Sequence, residues 1–226
     1  MTELGVVYTD IQRPDKRDVE ALSHYGSATI HEAMGRVGLM QPYMRPAYAG
    51  AKLCGPAVTA LLQPGDNWML HVVAEQLTDG DVVVAACTTD SDAGFFGDLL
   101  ATSFRARGGV GLVIDGGVRD TADLAEMDFP VFAKAIHARG TVKETLGSVN
   151  IPVTCAGAVV NPGDVVVGDA DGVVVVPREK VAEVVEASKT RETKESGVRE
   201  RLAAGELGLD VYGMRDKLAA KGLQYR

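Results

Sequence analysis

The sequence has few of the residues that build disulfide frameworks or zinc centres. Its three cysteines, Cys54, Cys87 and Cys155, are widely separated, and each lies among apolar or small residues that suit a buried, reduced thiol. The four histidines are not closely paired along the chain either. Because structural zinc sites use closely spaced ligands, a zinc centre built on cysteine and histidine is not expected, and the cysteines are interpreted as structural.

The chain also lacks a basic excess and any long apolar run. It has 23 Lys and Arg against 31 Asp and Glu, a formal net charge of -8. Nucleic acids and anionic membrane surfaces need clustered basic residues, so neither is expected as the main partner. No apolar run approaches the roughly 20 residues of a membrane span, and the start, MTELGVVYTD, does not resemble a signal peptide. A cytoplasmic enzyme is the expectation.

The sequence does contain short Val- and Ile-rich runs that alternate with helical patterns. Continuous apolar runs are typical of strands buried on both faces. A helical pattern follows Asp66, a candidate N-cap, and another ends at Gly108-Gly109. Strands that alternate with helices predict an α/β protein. The apolar runs lie at 57–62, 81–86, 110–114, 131–136, 164–169 and 172–177.

The segment after the last apolar run has a different composition. Residues 186–201 are almost all polar, which is typical of a helix without a core of its own. Two interpretations stay open, a solvated, salt-bridged helix and an arm that crosses to a neighbouring subunit. The tail LGLDVYGMRDKLAAKGLQYR again contains apolar and aromatic residues and is expected to dock on another surface. The predicted division is an α/β core at 1–177 and a helical arm and tail at 178–226.

The segment GFFGDLLATSFRARGGVGLVIDGGVRD combines several features of a ligand site. Gly97-Asp98 opens a predicted helix, whose first amides are unpaired and carry the positive end of the helix dipole. Such an end suits a carboxylate. The next strand, which contains VGLVI, is expected to end in DGGVRD, which places Asp115, Arg119 and Asp120 at its carboxyl end. Ligands of open α/β sheets bind at this edge.

These motifs resemble a known enzyme family. GDLLA, GGVGLVIDGGVRD, LGLDVYGMR and the early segment SATIHEAMGR are similar to the class II pyruvate aldolases that act on 4-hydroxy-4-methyl-2-oxoglutarate and 4-carboxy-4-hydroxy-2-oxoadipate. These aldolases belong to the superfamily of the regulators of ribonuclease activity A. The resemblance implies a swivelling β/β/α-type sandwich domain with a C-terminal helical arm that reaches a neighbouring subunit. It also implies a homotrimer or homohexamer with active sites at subunit interfaces.

The resemblance implies a catalytic role for four residues. Asp120 would bind Mg²⁺ or Mn²⁺ directly, which suits a hard cation that keeps several waters. Asp98 would hold metal-bound waters, together with a carboxylate from the arm of an adjacent subunit. Glu195 is the best match for that carboxylate, and Glu192 is the less favoured alternative. Arg119 would stabilise the oxygen on which negative charge builds as the C3–C4 bond breaks.

The resemblance also implies a set of substrate contacts. The amides of Leu99 and Leu100 would bind the pyruvyl carboxylate, with Gly97 as a further substrate-binding residue. Asn67 and Lys143 would contact the more distant carboxylate. Arg119 would take part in binding as well. The implied reaction is a retro-aldol cleavage that releases pyruvate in aromatic-acid (protocatechuate and gallate) catabolism. Because the metal replaces a Schiff base, Lys143 is a binding residue, and decarboxylation of oxaloacetate is expected as a side activity.

Two alternatives and one detail remain open. A non-catalytic binding protein that resembles the ribonuclease E regulators is possible on fold, although those regulators end near the position of GVVVVP. Decarboxylation of oxaloacetate could instead be the main reaction. The substituent at C4 of the substrate, methyl or carboxymethyl, depends on the far end of the pocket. There, basic residues such as Arg36, Arg45 and Lys143 would favour the more carboxylated substrate.

Overall fold

The computed structural model describes residues 4–226. Its strands, in chain order, are β1 (Arg45–Pro46), β2 (Leu53–Leu62), β3 (Val82–Cys87), β4 (Gly94–Phe96), β5 (Gly111–Val118), β6 (Val131–Ile136), β7 (Ser148–Val149), β8 (Val153–Cys155), β9 (Ala158–Val160), β10 (Val165–Asp169) and β11 (Gly172–Val176). Its α-helices are α1 (Lys16–Leu22), α2 (Ser27–Ala33), α3 (Trp68–Val73), α4 (Asp98–Ala106), α5 (Thr121–Glu126), α6 (Val181–Ala203), α7 (Gly208–Val211) and α8 (Arg215–Ala220).

Four adjacent parallel strands form the centre of the sheet. They lie side by side in the order β6, β5, β3, β2. Each arises from one of the predicted Val- and Ile-rich runs, because a strand covered on both faces needs apolar side chains at successive positions. In β2, every residue except Cys54 is buried. The predicted α/β architecture is therefore confirmed, with strand ends that differ by a few residues.

Antiparallel strands extend this sheet until it nearly closes on itself. At one end β10 pairs with β2 and β11 pairs with β10, and at the other end β1 pairs with β6. The two outer strands approach each other where Arg45 Nη1 donates to the carbonyl oxygen of Asp171 at 2.7 Å. The β8–β9 hairpin packs into the same core as the inner face of the parallel strands. The result is a mixed α/β fold with a barrel-like sheet.

Two groups of helices cover the outside of the sheet. On one side, α3, α4 and α5 bury Leu70, Phe104 and Leu124 against the parallel strands. On the other, α1, α2 and α6 cover β10 and β11, where Leu22 and Ile30 are fully buried. Full burial of a side chain of this size contributes about 1.5 to 3 kcal/mol. The first helical layer carries α3 and α4, which form the candidate site.

A long helix follows the last strand, as the polar segment predicts. The first turns of α6 bury Val181, Val184 and Ser188, and the remainder is partly or fully exposed. No residue from 199 to 226 is buried. Within the described part of the chain, every helix is too short or too polar to cross a bilayer. The reach of the arm to a neighbour and the domain division at residue 177 stay predictions.

Two details of the sequence analysis are corrected. The helix after Asp66 is shorter than its apolar pattern, because α3 ends at Val73 and continues as a 3-10 turn; its N-cap is Asn67. β5 ends within DGGVRD, at Val118, as predicted, but Asp115 lies inside the strand and not at its carboxyl end. The glycines of β5 do not form a turn but let a neighbouring segment come close to the strand. A Cβ at Gly117 would lie 2.1 Å from the carbonyl oxygen of Asp92.

Asp115 consequently lies inside a strand and does not belong to the candidate site. Its carboxylate accepts a hydrogen bond from Tyr43 Oη at 3.1 Å and one from the Ala156 amide at 2.9 Å. These contacts hold the loop around residue 43 and the turn of the β8–β9 hairpin. A structural role for Asp115 follows from this geometry.

The cysteines, all three within the described residues, are free thiols. Cys155 is buried, whereas Cys54 and Cys87 are half-buried. Burial raises the pKa of Cys54 and of Cys87 to about 12. Thiols held in the protonated form are poor nucleophiles, in agreement with the structural interpretation.

Candidate active site

The start of α4 forms one wall of the candidate site. Gly97 is the N-cap residue, with extended backbone (φ -156°), and Asp98 begins the helix, as predicted. Gly97 offers no side chain to cap this end, so helix geometry leaves the amides of Asp98, Leu99 and Leu100 without i-4 carbonyl partners. The helix dipole adds partial positive charge at the same place. An anionic group of a ligand is therefore stabilised here.

The end of β5 brings a basic and an acidic side chain to the same wall. The Arg119 amide donates to the carbonyl oxygen of Phe96 at 2.9 Å, which fixes the backbone beside β4. Asp120 follows in the left-handed region (φ 55°) and begins α5. Arg119 Nε lies 3.4 Å from Asp120 Oδ2. A Cβ at Gly97 would lie 2.0 Å from the same oxygen, so only glycine leaves room for this carboxylate.

The other wall consists of the start of α3 and the loop that carries Lys143. Asn67 Nδ2 donates to the carbonyl oxygen of Phe95 at 2.9 Å, whereas its Oδ1 is buried without a hydrogen-bond partner. The loop is held against α3 by two backbone hydrogen bonds, from the Asn67 amide to Val142 at 3.1 Å and from the Val142 amide to Gly65 at 2.9 Å. Lys143 therefore lies beside Asn67, although the two are far apart in sequence.

These two walls enclose a cavity of about 100 Å³. It gathers every catalytic and substrate-binding residue that the resemblance assigned to the site except the arm carboxylate, and it adds His71 and Phe95, which sequence reasoning did not select. The signal for His71 was available, because residues four apart share one face of a helix and His71 follows Asn67 at that spacing. The lining residues are Asn67, His71, Phe95, Gly97, Asp98, Leu99, Leu100, Arg119, Asp120 and Lys143.

The arm carboxylate is the one predicted residue that does not line this cavity in its own chain. Glu195 is on α6, where one of its carboxylate oxygens lies 2.8 Å from Arg191 Nη2. Arg191 Nη1 lies 3.6 Å from Glu32 of α2, so an ionic network ties the arm to the body of the chain. Glu192 is exposed on the same helix. The structure of one chain therefore does not test the role predicted for Glu195.

Charge is unevenly distributed around the cavity. The carboxylates, Asp98 and Asp120, belong to the wall formed by α4 and the end of β5, next to Arg119. His71 and Lys143 belong to the wall of α3 and its loop. Partial burial, and then the charge of Lys143, lower the pKa of His71 below its usual range. At neutral pH the imidazole is thus neutral and the ammonium carries the charge of this wall.

Comparison with known proteins identifies the family. The sequence profile of the RraA-like family, described as Aldolase/RraA, matches residues 27–175, about two thirds of the chain. The chain belongs to this family. The match contains both walls of the cavity, from Asn67 to Lys143, and stops before the arm.

Individual relatives agree with this assignment. A protein of Halorhodospira halophila, provisionally named 4-hydroxy-4-methyl-2-oxoglutarate aldolase, is 37% identical over 67% of this chain and 92% of its own length. One of Halalkalibacterium halodurans with the same provisional name is 26% identical over 81% of this chain and 87% of its own. The crystal structure of Streptomyces coelicolor RraAS2, described as an unusual member of the RNase ES inhibitor RraA protein family, superposes with a TM-score of 0.74 at 31% identity. It covers 84% of this chain and 100% of its own.

Proposed function

We propose that this protein is a divalent-metal-dependent aldolase. It cleaves 4-carboxy-4-hydroxy-2-oxoadipate to pyruvate and oxaloacetate, and 4-hydroxy-4-methyl-2-oxoglutarate to two molecules of pyruvate. The observation that carries this proposal is the cavity that joins Arg119, Asp120 and the open end of α4 to the wall of Asn67 and Lys143. Relatives named provisionally as aldolases of the second substrate support it.

The residues around Asp120 fit Mg²⁺ or Mn²⁺. Within residues 4–226, no three His, Cys, Asp or Glu side chains gather closely enough to hold a metal between them. A single direct carboxylate with waters is a usual ligand set for Mg²⁺, which gives up its waters reluctantly. The space that Gly97 leaves beside Asp120 Oδ2 keeps that carboxylate accessible. Asp120 would bind the ion directly and Asp98 would hold its waters; the bound ion would act as a Lewis acid toward the keto oxygen of the substrate.

The side chains and amides of this chain then orient the substrate and stabilise charge. The amides of Leu99 and Leu100, next to the substrate-binding residue Gly97, bind the carboxylate beside the keto group. When the C3–C4 bond breaks, its electron pair passes to the three-carbon fragment, which leaves as the enolate of pyruvate. Arg119 stabilises the negative charge on the enolate oxygen through its always-protonated guanidinium. Lys143 binds the substrate and forms no covalent bond with it.

Proton transfer completes the reaction. The 4-hydroxyl group loses its proton as the bond breaks, and the enolate gains one at C3. We assign both transfers to a water oriented by Asp98 and by Glu195 of the partner subunit, because a general base must lie within hydrogen-bond reach of the proton that it removes. This assignment requires self-association to a trimer or to a hexamer of two trimers. Loss of CO₂ from oxaloacetate passes through the same enolate and is a side activity of the same site.

The test is pyruvate release from 4-carboxy-4-hydroxy-2-oxoadipate by the purified protein, coupled to lactate dehydrogenase. Turnover is expected with Mg²⁺, is lost with EDTA and returns when metal is added back. Asp120→Ala is expected to reduce it to background, whereas the control Asp123→Asn, which changes an exposed carboxylate in the first turn of α5, retains it. Absence of pyruvate with every divalent metal would exclude the aldolase.

A second candidate is a non-catalytic binding protein of the ribonuclease-regulator type. The observation in its favour is the close superposition of RraAS2, whose family is described as inhibitors of RNase ES. Such a protein would bind a ribonuclease of that class tightly and release no pyruvate. The two candidates therefore separate in the same assay, complemented by a binding titration with the ribonuclease.

A further inference from the structure

Two nitrogen-bearing side chains face the cavity without a protein partner. Among the described residues, neither Lys143 nor His71 has a hydrogen bond or ion pair with another protein group, and Lys143 lies close enough to His71 to contribute to its lowered pKa. Both side chains are exposed at the cavity, so their hydrogen-bond donors are open to a ligand. In a chain with a net charge of -8, an unneutralised lysine in a cavity is a specific feature. This pair suits an anionic group of the substrate.

The fold holds this pair in place through Asp66. This buried carboxylate, 3% exposed, accepts hydrogen bonds from the amides of Trp68 at 2.9 Å, Glu144 at 2.7 Å and Thr145 at 2.7 Å. It therefore joins the first turn of α3 to the residues that follow Lys143. Because His71 lies on α3 and Lys143 in the joined loop, their separation is fixed by a charge-assisted network.

The other basic residues that the sequence offered for this task are engaged elsewhere. Arg36 pairs with Glu32 at 3.1 Å, and Arg45 donates to the carbonyl oxygen of Asp171. Neither lines the cavity. Lys143 is therefore the cation of the wall formed by α3 and its loop. His71 adds a second hydrogen-bond donor to this wall, next to Asn67.

We propose that His71 is a specificity-determining residue which, with Lys143, binds the carboxylates on the C4 branch of the substrate. This inference rests on the proposed function and specifies its substrate. The amides of α4 take the carboxylate next to the keto group, so the opposite wall receives the groups on C4. A methyl branch brings one carboxylate to this wall, and a carboxymethyl branch brings two. Two donors therefore favour 4-carboxy-4-hydroxy-2-oxoadipate.

The state of His71 is compatible with this role. The lowered pKa leaves a neutral imidazole, which still has one N–H donor. The positive charge of Lys143 disfavours protonation of the His71 imidazole. An anion bound between the two side chains offsets this effect, so His71 is a stronger hydrogen-bond donor when substrate is present. Hydrogen bonds to charged groups are the stronger class.

The experiment compares wild type, His71→Leu and His71→Gln with the control His24→Leu, which changes an exposed histidine outside this cavity. Three rates are measured with Mg²⁺: kcat/KM for the carboxymethyl substrate, kcat/KM for the methyl substrate, and exchange of the pyruvate methyl protons with D₂O. Pyruvate has no C4 branch, so its exchange reports only on the enolate-forming half of the site. The preference is the ratio of kcat/KM for the carboxymethyl substrate to kcat/KM for the methyl substrate. His71→Leu is expected to lower this ratio about tenfold, through a higher KM for the carboxymethyl substrate, and to leave the rate of methyl-proton exchange unchanged. His71→Gln, which retains a donor, is expected to recover part of it.

The possible results separate this inference from the proposed function. An equal loss of all three rates in His71→Leu would show a structural role and overturn the inference while the aldolase stands. An unchanged preference would overturn it as well. If wild type shows neither pyruvate release nor methyl exchange, the proposed function fails and the inference falls with it.

Discussion

At the scale of single residues, the cavity contains two locally unfavourable features. Asp120 has a left-handed backbone (φ 55°), which costs a residue other than glycine free energy. Asn67 keeps a buried Oδ1 without a hydrogen-bond partner. Each is costly for folding alone. Their coincidence at the end of β5 and the start of α3 is explained if a ligand satisfies these groups, and folding energy elsewhere in the chain maintains them.

Asp66 leads to the first prediction at this scale. Burial raises the pKa of its carboxyl group, but the amides of Trp68, Glu144 and Thr145 lower it by more, and the net pKa lies below the ordinary value of 3.8. A lowered pKa means that the stabilisation is complete above that value and is lost as pH falls through the folded-state pKa. Asp66→Asn is expected to reduce the free energy of unfolding at neutral pH by about 1 to 3 kcal/mol.

Urea unfolding of wild type and Asp66→Asn at several pH values measures this effect. The difference between the two proteins is expected to stay constant from neutral pH down to about pH 4 and to shrink below it. A difference that is the same on both sides of this pH would show that the charge of Asp66 does not stabilise the loop.

At the scale of elements, the start of α4 leads to a prediction about space. A Cβ at Gly97 would displace the end of the Asp120 side chain, which is flexible, while the extended backbone at Gly97 accepts alanine. Gly97→Ala is therefore expected to fold but to lose at least about tenfold in pyruvate release, because small displacements of catalytic groups are costly. Gly26→Ala is the matched control: Gly26 is also a helix N-cap, and its Cβ would lie 3.4 Å from Asp169 Oδ2, an ordinary contact. Thermal unfolding checks that both variants fold; equal activity of the two would refute the steric explanation.

Helices and strands could be predicted from the sequence where their pattern depends only on residues within the same segment. The buried strands and the polar helix α6 were predicted because apolar periodicity depends on the burial of each segment. Gly97-Asp98 as a helix start was predicted for the same local reason. β5 ends within DGGVRD as predicted, but Asp115 was placed at its carboxyl end and lies inside it. Gly116 and Gly117 are also typical of turns, and their role in the close approach of β4 depends on a distant segment.

The cavity itself was only partly predictable from residues. Its first wall is one continuous motif, from Gly97 to Asp120, and could be assembled from sequence. The second wall joins α3 to a loop about 70 residues later, through the contacts of Asp66, and no periodicity records that contact. Asn67 and Lys143 were selected through family resemblance, whereas His71, four residues after Asn67 on the same helix, was identified only when the structure placed it in the cavity.

At the scale of the whole molecule, the single chain leaves its C-terminal region without a core. The tail contains large apolar side chains, yet Leu207, Tyr212 and Tyr225 are each more than half exposed. Exposed apolar residues concentrated in one segment are typical of a contact with another chain. A subunit interface formed by the arm and tail would cover them, and it would bring Glu195 to the cavity of a neighbour.

This arrangement predicts that two inactive variants restore each other. Arg119→Ala removes the enolate-stabilising cation from the cavity of its own chain, and Glu195→Gln removes the carboxylate that it contributes to a neighbour. Each alone is expected to be nearly inactive, and Glu192→Gln, on the exposed part of the same helix, distinguishes the two candidate carboxylates. In oligomers assembled from equal amounts of the two variants, a site is intact only if its own chain has Arg119 and its neighbour has Glu195.

Random assembly gives that combination in about a quarter of the sites, so about a quarter of wild-type activity is expected after co-expression or joint refolding. Size-exclusion chromatography of differently tagged subunits verifies that mixed oligomers form. Mixed oligomers without activity would place Glu195 in the site of its own chain, which a single chain does not show. Full activity of Glu195→Gln alone would remove this residue from the site altogether and leave Glu192 as the candidate.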